Sequence, residues 1–225
     1  MKRWVDTETF NRARVTALHY ATKLSSKLFV YLVEECGADV KIRDPHGMSV
    51  MHKAAYDDNS YLITYLRDKH SFDIMDAGRA GNTPLHYACD GKAACSIIWL
   101  LGFGADVNAR NQSQATPMHL LMTGGDKLRD VKTLREMVFR GADKDAYDDN
   151  GRTPLDIFKA EDEARFEQYG MRTMSEEHLM KDVLKVLGRS GSGCEAITGR
   201  LPMKELERSK STFYFQLFIN PLCLY

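Results

Sequence analysis

Gly81-Asn82-Thr83-Pro84-Leu85-His86-Tyr87-Ala88 is followed first by Ile97-Ile98-Trp99-Leu100-Leu101 and then by Gly104-Ala105-Asp106-Val107-Asn108-Ala109. Thr83 is a good helix N-cap. The proline after it loses nothing by lacking an N–H there and brings a preset φ, so a helix is expected to begin at Pro84. The apolar run Ile97 to Leu101 supplies the buried face of a second helix, and Gly104 is placed to end it in the left-handed conformation. The stretch reads as two short helices and a turn.

Working outward, the same unit recurs along the chain. Ala17-Leu18-His19, Val50-Met51-His52, Pro84-Leu85-His86, Pro117-Met118-His119 and Pro154-Leu155-Asp156 align at steps of 33, 34, 33 and 37 residues. A second marker keeps pace: Gly37-Ala38-Asp39, Ser71-Phe72-Asp73, Gly104-Ala105-Asp106 and Gly141-Ala142-Asp143 step by 34, 33 and 37. Each of those aspartates lies eight residues before the next unit's Gly47, Gly81, Gln114 or Gly151. A connection of constant length implies constant geometry. Turn-rich segments such as Asp44-Pro45-His46-Gly47 and Asp148-Asp149-Asn150-Gly151 join the units as hairpin-like fingers. One unit cannot bury both of its faces, so stability must come from stacking against neighbours.

The period, the Thr83-Pro84-Leu85-His86 signature and the glycine-aspartate marker resemble the ankyrin repeats. The resemblance implies an all-α solenoid of about five helix-turn-helix repeats, near 14–46, 47–80, 81–113, 114–150 and 151–188, within a domain spanning 1–188. Thr116 and Thr153 are read as N-caps like Thr83. Leu28, Val30, Tyr31, Leu32 and Val33 are expected to form the apolar face of the first unit's second helix. Some units depart from the pattern. The first lacks the proline and glycine, and the second has Ser49-Val50-Met51-His52 and no glycine before Phe72. The fourth has Gln114 at the turn glycine and an insertion through Thr123-Gly124-Gly125-Asp126, and the fifth has Asp156 in place of histidine. The acidic stretch 160–173 is expected to interrupt the pattern. Thr173-Met174-Ser175-Glu176 then opens a capping helix with Leu179, Met180, Val183, Leu184 and Leu187 on one face.

Composition fits a soluble interaction domain. The 225 residues are 44% apolar, and 31 basic residues balance 31 acidic ones, so no global field favours nucleic acid. A gradient lies beneath the balance: residues 1–30 hold six basic and two acidic side chains, whereas 143–167 hold nine acidic and four basic. Five cysteines, Cys36, Cys89, Cys95, Cys194 and Cys223, form no closely spaced framework, and no apolar signal-like run opens the chain. A cytoplasmic location is expected, with the cytoplasmic face of a membrane as the alternative.

Residues 189–212 read as a flexible linker and charged segment, opening with Gly188-Arg189-Ser190-Gly191-Ser192-Gly193, and 213–225 as a hydrophobic tail. At thirteen residues that tail is shorter than the roughly 20 needed to cross a bilayer. Three readings stay open: a short terminus that packs on the last repeat or stays disordered, a peripheral anchor, or the entry of a first transmembrane helix. In the last, the order of parts is similar to palmitoyltransferases with an N-terminal ankyrin domain and to ankyrin-bearing channels. The Asp-His-His-Cys motif of those transferases does not occur in this sequence.

No catalytic residue, cofactor or metal site is assigned. His19, His52, His86 and His119 share one repeat position, a structural period rather than zinc-ligand spacing. Cys89 and Cys95 are read as small apolar residues of the third unit. No phosphate loop, nucleophile elbow or metalloprotease helix occurs. The resemblance places Asn108 at a position that some asparaginyl hydroxylases modify. It also places binding in positions that vary while the framework is constant, on the finger tips and inner helices. These are Pro45, His46, Met48, Tyr56 and Asp57; Arg79, Ala80, Asn82 and Asp90; Gln112, Ser113, Ala115 and Thr123; and Asp149, Asn150 and Arg152. Tyr56 and Arg79 are the expected anchors, because aromatic and arginine side chains carry disproportionate interface energy. The expected function is that of a monomeric adaptor or scaffold holding another protein in this groove. The alternative is a docking or regulatory domain of a membrane protein.

Overall fold

Residues 16–123, 131–169 and 174–188 are described in a computed structural model. Their helices come in pairs, inner then outer: α1 (Ala17–Leu24) with α2 (Ser26–Glu34), α3 (Val50–Tyr56) with α4 (Ser60–His70), α5 (Pro84–Asp90) with α6 (Ala94–Gly102), and α7 (Pro117–Met122) with α8 (Lys132–Phe139). Two longer helices follow, α9 (Pro154–Tyr169) and α10 (Met174–Leu187). Among the described residues there is no β-strand, and an isolated antiparallel bridge joins Arg43 and Ser49. The architecture is an all-α solenoid.

Inner helices pack on inner helices in the order α1, α3, α5, α7, α9, and outer α4, α6 and α8 do likewise. The core between them is apolar: Leu18, Met51, Leu62, Ile63, Leu66, Leu85, Ile97, Leu100, Met118 and Leu121 are buried. Burying one such leucine or isoleucine contributes roughly 1.5–3 kcal/mol, which short helices of six to nine residues could not supply alone.

One polar device repeats at the inner helices α3, α5 and α7. The N-cap backbone N–H of Ser49, Thr83 and Thr116 donates to the Nδ1 of the histidine three residues on, at 3.0, 3.2 and 3.0 Å. The opposite ring nitrogen of each histidine points into the following unit: His19 to the Met48 carbonyl at 3.2 Å, His52 to Asp76 at 2.9 Å, His86 to Ala115 at 3.1 Å and His119 to Arg152 at 3.1 Å. A carbonyl only accepts, so Nε2 carries the proton and Nδ1 accepts. Each histidine therefore closes its own helix and fastens the next finger.

The fingers are one-turn hairpins. Asp44, Gly78, Asn111 and Asp148 each donate a backbone N–H to the carbonyl four residues later, at 3.0 to 3.1 Å. In three of them the side chain of the same residue accepts two further amides: Asp44 from His46 and Met48, Asn111 from Ser113 and Ala115, Asp148 from Asn150 and Arg152. Successive fingers are joined by Arg79 N–H to His46 O, Gln112 N–H to Ala80 O and Asp149 N–H to Ser113 O.

Several expectations are corrected. In α2, Phe29 and Leu32 are buried, whereas Leu28 and Tyr31 are 41% and 50% exposed. Among the described residues the first unit packs on the second through α1 and α3. The acidic stretch, expected to interrupt the repeat pattern, is helical as far as it is described. It continues α9 through Tyr169, because its Glu, Asp and Ala residues carry no Gly or Pro to stop the helix. In α10, Val183 and Leu187 are buried but Leu184 is 38% exposed. Thr173 and the glycine-rich insertion lie outside the described residues, as do the linker and tail. Cys89 is buried, as expected, but Cys95 is only half-buried. Residues up to Val186 form one compact unit, and a second begins at Leu187.

Candidate functional site

Because the histidine framework is constant, neighbouring positions on the inner helices are free to vary. One residue past the histidine stand Tyr20, Lys53, Tyr87 and Leu120, and four past it stand Lys23, Tyr56, Asp90 and Thr123. A concavity of about 320 Å³ opens there, lined by His19, Tyr20, Asp44, Met48, Lys53, Tyr56, Tyr87 and Asp90. Of the residues expected from sequence, Met48, Tyr56 and Asp90 are brought together in it. Tyr20, Asp44, Lys53 and Tyr87 were missed. The signal for three of these was available, since the position after the histidine varies from unit to unit as a binding position should.

The charges in the concavity are unevenly engaged. Lys53 is held by Asp57, Nζ to Oδ1 at 2.8 Å, and lies 4.9 Å from the centre of the Tyr56 ring. Asp44 spends Oδ1 on two finger amides. Nothing among the described residues bonds the Asp90 carboxylate, which is exposed. Tyr87 packs edge-on to His52, with ring centres 5.1 Å apart. Burial raises its phenol above the ordinary value, opposed by a hydrogen bond with Asn82. Its hydroxyl lies where a Cβ on Gly78 would approach to 3.2 Å. Gly78 stands at the finger position that Asp44, Asn111 and Asp148 fill elsewhere, so the missing side chain makes room for Tyr87.

Other expected residues fall elsewhere. Asp57 does not present itself to a partner: its side chain is 4% exposed, and it accepts from the Thr22 hydroxyl at 2.7 Å as well as from Lys53. It is a strut between the first two units. Pro45, His46, Arg79, Ala80, Gln112, Ser113, Asp149 and Asn150 are exposed along the finger row. Asn82 is half-buried and accepts from the Asn111 amide at 2.8 Å, and Ala115 and Thr123 are half-buried. Arg152 folds back onto Asp148 at 2.9 Å while its carbonyl takes the His119 bond. Asn108 uses both ends of its amide, donating to Gly141 O at 2.9 Å and accepting from Asp143 N–H at 2.8 Å. It links the third and fourth units. Among the described residues no group of three or more His, Cys, Asp or Glu side chains is placed to hold a metal ion, and no helix is long and apolar enough to cross a membrane. Burial raises the Cys89 thiol far above its ordinary range, which leaves it unionised and unsuited to nucleophilic chemistry.

A solenoid of paired helices with hairpin fingers, a histidine bridge at each junction and a variable concave face defines a repeat module built for binding. Residues 18–111 match the family model for ankyrin repeats, in three copies. Such repeats are non-catalytic protein-interaction modules. Similar proteins include SH3 and multiple ankyrin repeat domains protein 2 of Homo sapiens, 26% identical over 144 residues covering 64% of this chain and 8% of the relative. The nuclear factor NF-kappa-B p105 subunit of Gallus gallus is 30% identical over 146 residues, covering 63% of this chain and 14% of that protein. The putative palmitoyltransferase ZDHHC13 of Danio rerio is 26% identical over 121 residues, covering 54% and 18%. The chain thus spans less than a fifth of the length of each of these relatives.

Proposed function

We propose that the chain is a monomeric cytosolic adaptor that holds a partner protein across its inner helices and finger row. The observation that carries this reading is the concavity around Tyr56, where residues that differ from unit to unit sit on a hydrogen-bonded framework that does not. An interface of ordinary size would cover about 800 Å² of this face. Tyr56 and Arg79 serve as anchors, with Asp149 at the far end of the finger row. The test is the double change Arg79→Glu with Asp149→Lys, read as partner recovery from the native cell beside circular dichroism of the purified protein. Recovery should fall at least tenfold with helical content unchanged, and undiminished recovery with intact helices would remove the groove from the account.

A second reading has its own support. Two relatives are named as palmitoyltransferases, in each of which the region similar to this chain is a minor part. Under that reading the repeats dock a substrate or regulate a membrane-embedded partner domain, and the segment 213–225 leads into the bilayer. Carbonate-resistant retention of the natural product in membranes would favour it, whereas release by carbonate would favour the adaptor.

A further inference from the structure

We infer that the concavity between α1, α3 and α5 accepts a single arginine side chain from the partner protein. This rests on the groove reading above and specifies its central contact. Three aromatic rings, Tyr20, Tyr56 and Tyr87, share the wall with two carboxylates, Asp44 and Asp90. Among the described residues the one cation in the lining, Lys53, is already paired with Asp57 at 2.8 Å. What remains is local negative charge beside π-faces. The Tyr56 ring already takes a cation in this protein, since the Lys53 ammonium lies 4.9 Å from its centre. Cation–π attraction of this kind strengthens as water is excluded, which a partner seated over the groove would do.

The geometry favours arginine over lysine for two reasons. A planar guanidinium stacks flat on a tyrosine face while presenting a fork of donors, and the Asp90 carboxylate has both oxygens unengaged among the described residues. Asp44 offers Oδ2 beside the same space, because Oδ1 alone is bonded to the finger. A compact ammonium could satisfy one carboxylate but could not fork and stack together. An acidic anchor would meet Asp90 and Asp44 with no free cation in the lining, among the described residues, to offset them.

The experiment uses the full chain, labelled for two-dimensional NMR and titrated with N-acetyl-arginine methylamide, with the lysine and glutamate analogues as comparison probes. Saturable millimolar binding is expected for the arginine probe, with shifts concentrated at the amides of Tyr20, Tyr56, Tyr87 and Asp90. The lysine probe should bind more weakly and the glutamate probe should leave those amides unmoved. Asp90→Asn is an exposed change that should leave helical content intact and weaken the arginine probe about 5- to 10-fold, the loss of roughly one charge-assisted contact. Equal response to the lysine or glutamate probe, shifts centred elsewhere, or indifference to Asp90→Asn would each overturn the assignment. If partner recovery fails in Arg79→Glu with Asp149→Lys but survives Asp90→Asn, the arginine anchor is wrong and the groove reading stands.

Discussion

The last residue of α3 and its C-cap show how narrowly a role is set. Tyr56 and Asp57 differ by one step, about 100° around a helix, and that step carries the side chain from the open groove into the junction with the first unit. Replacing Asp57 with Ala should therefore act on stability, costing about 1 kcal/mol through the lost bonds from Lys53 and from the Thr22 hydroxyl, which keeps the His19 carbonyl as an acceptor at 2.7 Å. Asp90→Ala should change stability by less than about 0.5 kcal/mol, since its carboxylate bonds nothing among the described residues. Denaturant midpoints of the two variants check this, and equal losses would refute the separation. Gly91 stands at the equivalent of Asp57 in the third unit, and a Cβ there would lie 2.3 Å from the Tyr56 carbonyl oxygen. Gly91→Ala should push α5 from α3, lowering stability by roughly 2 kcal/mol or more and displacing Tyr56. Ser71 offers the opposite case. It holds φ +53°, where the first, third and fourth units use glycine. Ser71→Gly should stabilise by about 0.5–1 kcal/mol in thermal or urea unfolding, because glycine takes that conformation without strain.

At the scale of helices, the turn between inner and outer members is where the units are tied laterally. Asn59 caps α4 by accepting from Leu62 N–H at 3.1 Å, while its amide donates to Thr22 O at 2.9 Å and Ser26 Oγ at 3.0 Å. Asn59→Ala removes a cap worth about 1 kcal/mol and two cross-unit bonds of similar size, so a loss of about 3 kcal/mol is expected, measured by urea unfolding. A loss below about 0.5 kcal/mol would show that α4 does not depend on this strut. The helices themselves were legible in the sequence because their signals are local: Thr83-Pro84 starts α5, Gly104 ends the unit containing α6, and the period repeats both. What escaped was lateral. Phe29 buries while Leu28 does not, and Tyr87 lines the groove, because those outcomes depend on which neighbour stacks against the helix. Gly78 was equally silent, since its meaning lies in the Tyr87 hydroxyl that fills the space beside it. Asp156 was legible as a departure, and its reason is chemical. Its carboxylate accepts from Thr153 N–H at 3.0 Å and the Thr153 hydroxyl at 2.7 Å, which holds its pKa below the ordinary value. An ionised carboxylate has no proton to donate to a further finger, as the histidines do, so this unit closes its own cap without reaching onward.

Across the whole molecule, the same four histidines make the stack sensitive to acid. His19, His52, His86 and His119 are all buried, and desolvation lowers each pKa below 6.5, against the opposing pull of the carbonyl bonds. The sign follows from proton counts. Between the depressed folded value and 6.5 the unfolded chain binds more protons, so stability is full above pH 6.5 and falls as pH drops through the window. The slope from any one histidine is at most about 1.4 kcal/mol per pH unit, and the contributions of the four add. Geometry gives the same direction: a proton on Nδ1 would face the N–H of Ser49, Thr83 or Thr116 instead of accepting from it. Because units couple only to neighbours, protonation at any junction uncouples the array on both sides of it. Urea unfolding at intervals from pH 8 to pH 5 should show a steep loss beginning near 6.5. In His119→Gln the glutamine can still accept at the cap but does not titrate, so the variant should be less stable at pH 8 by about 1 kcal/mol and lose less on acidification. A flat profile between pH 7 and 5, or an unchanged slope in His119→Gln, would show that the junction histidines do not carry the proton linkage assigned to them.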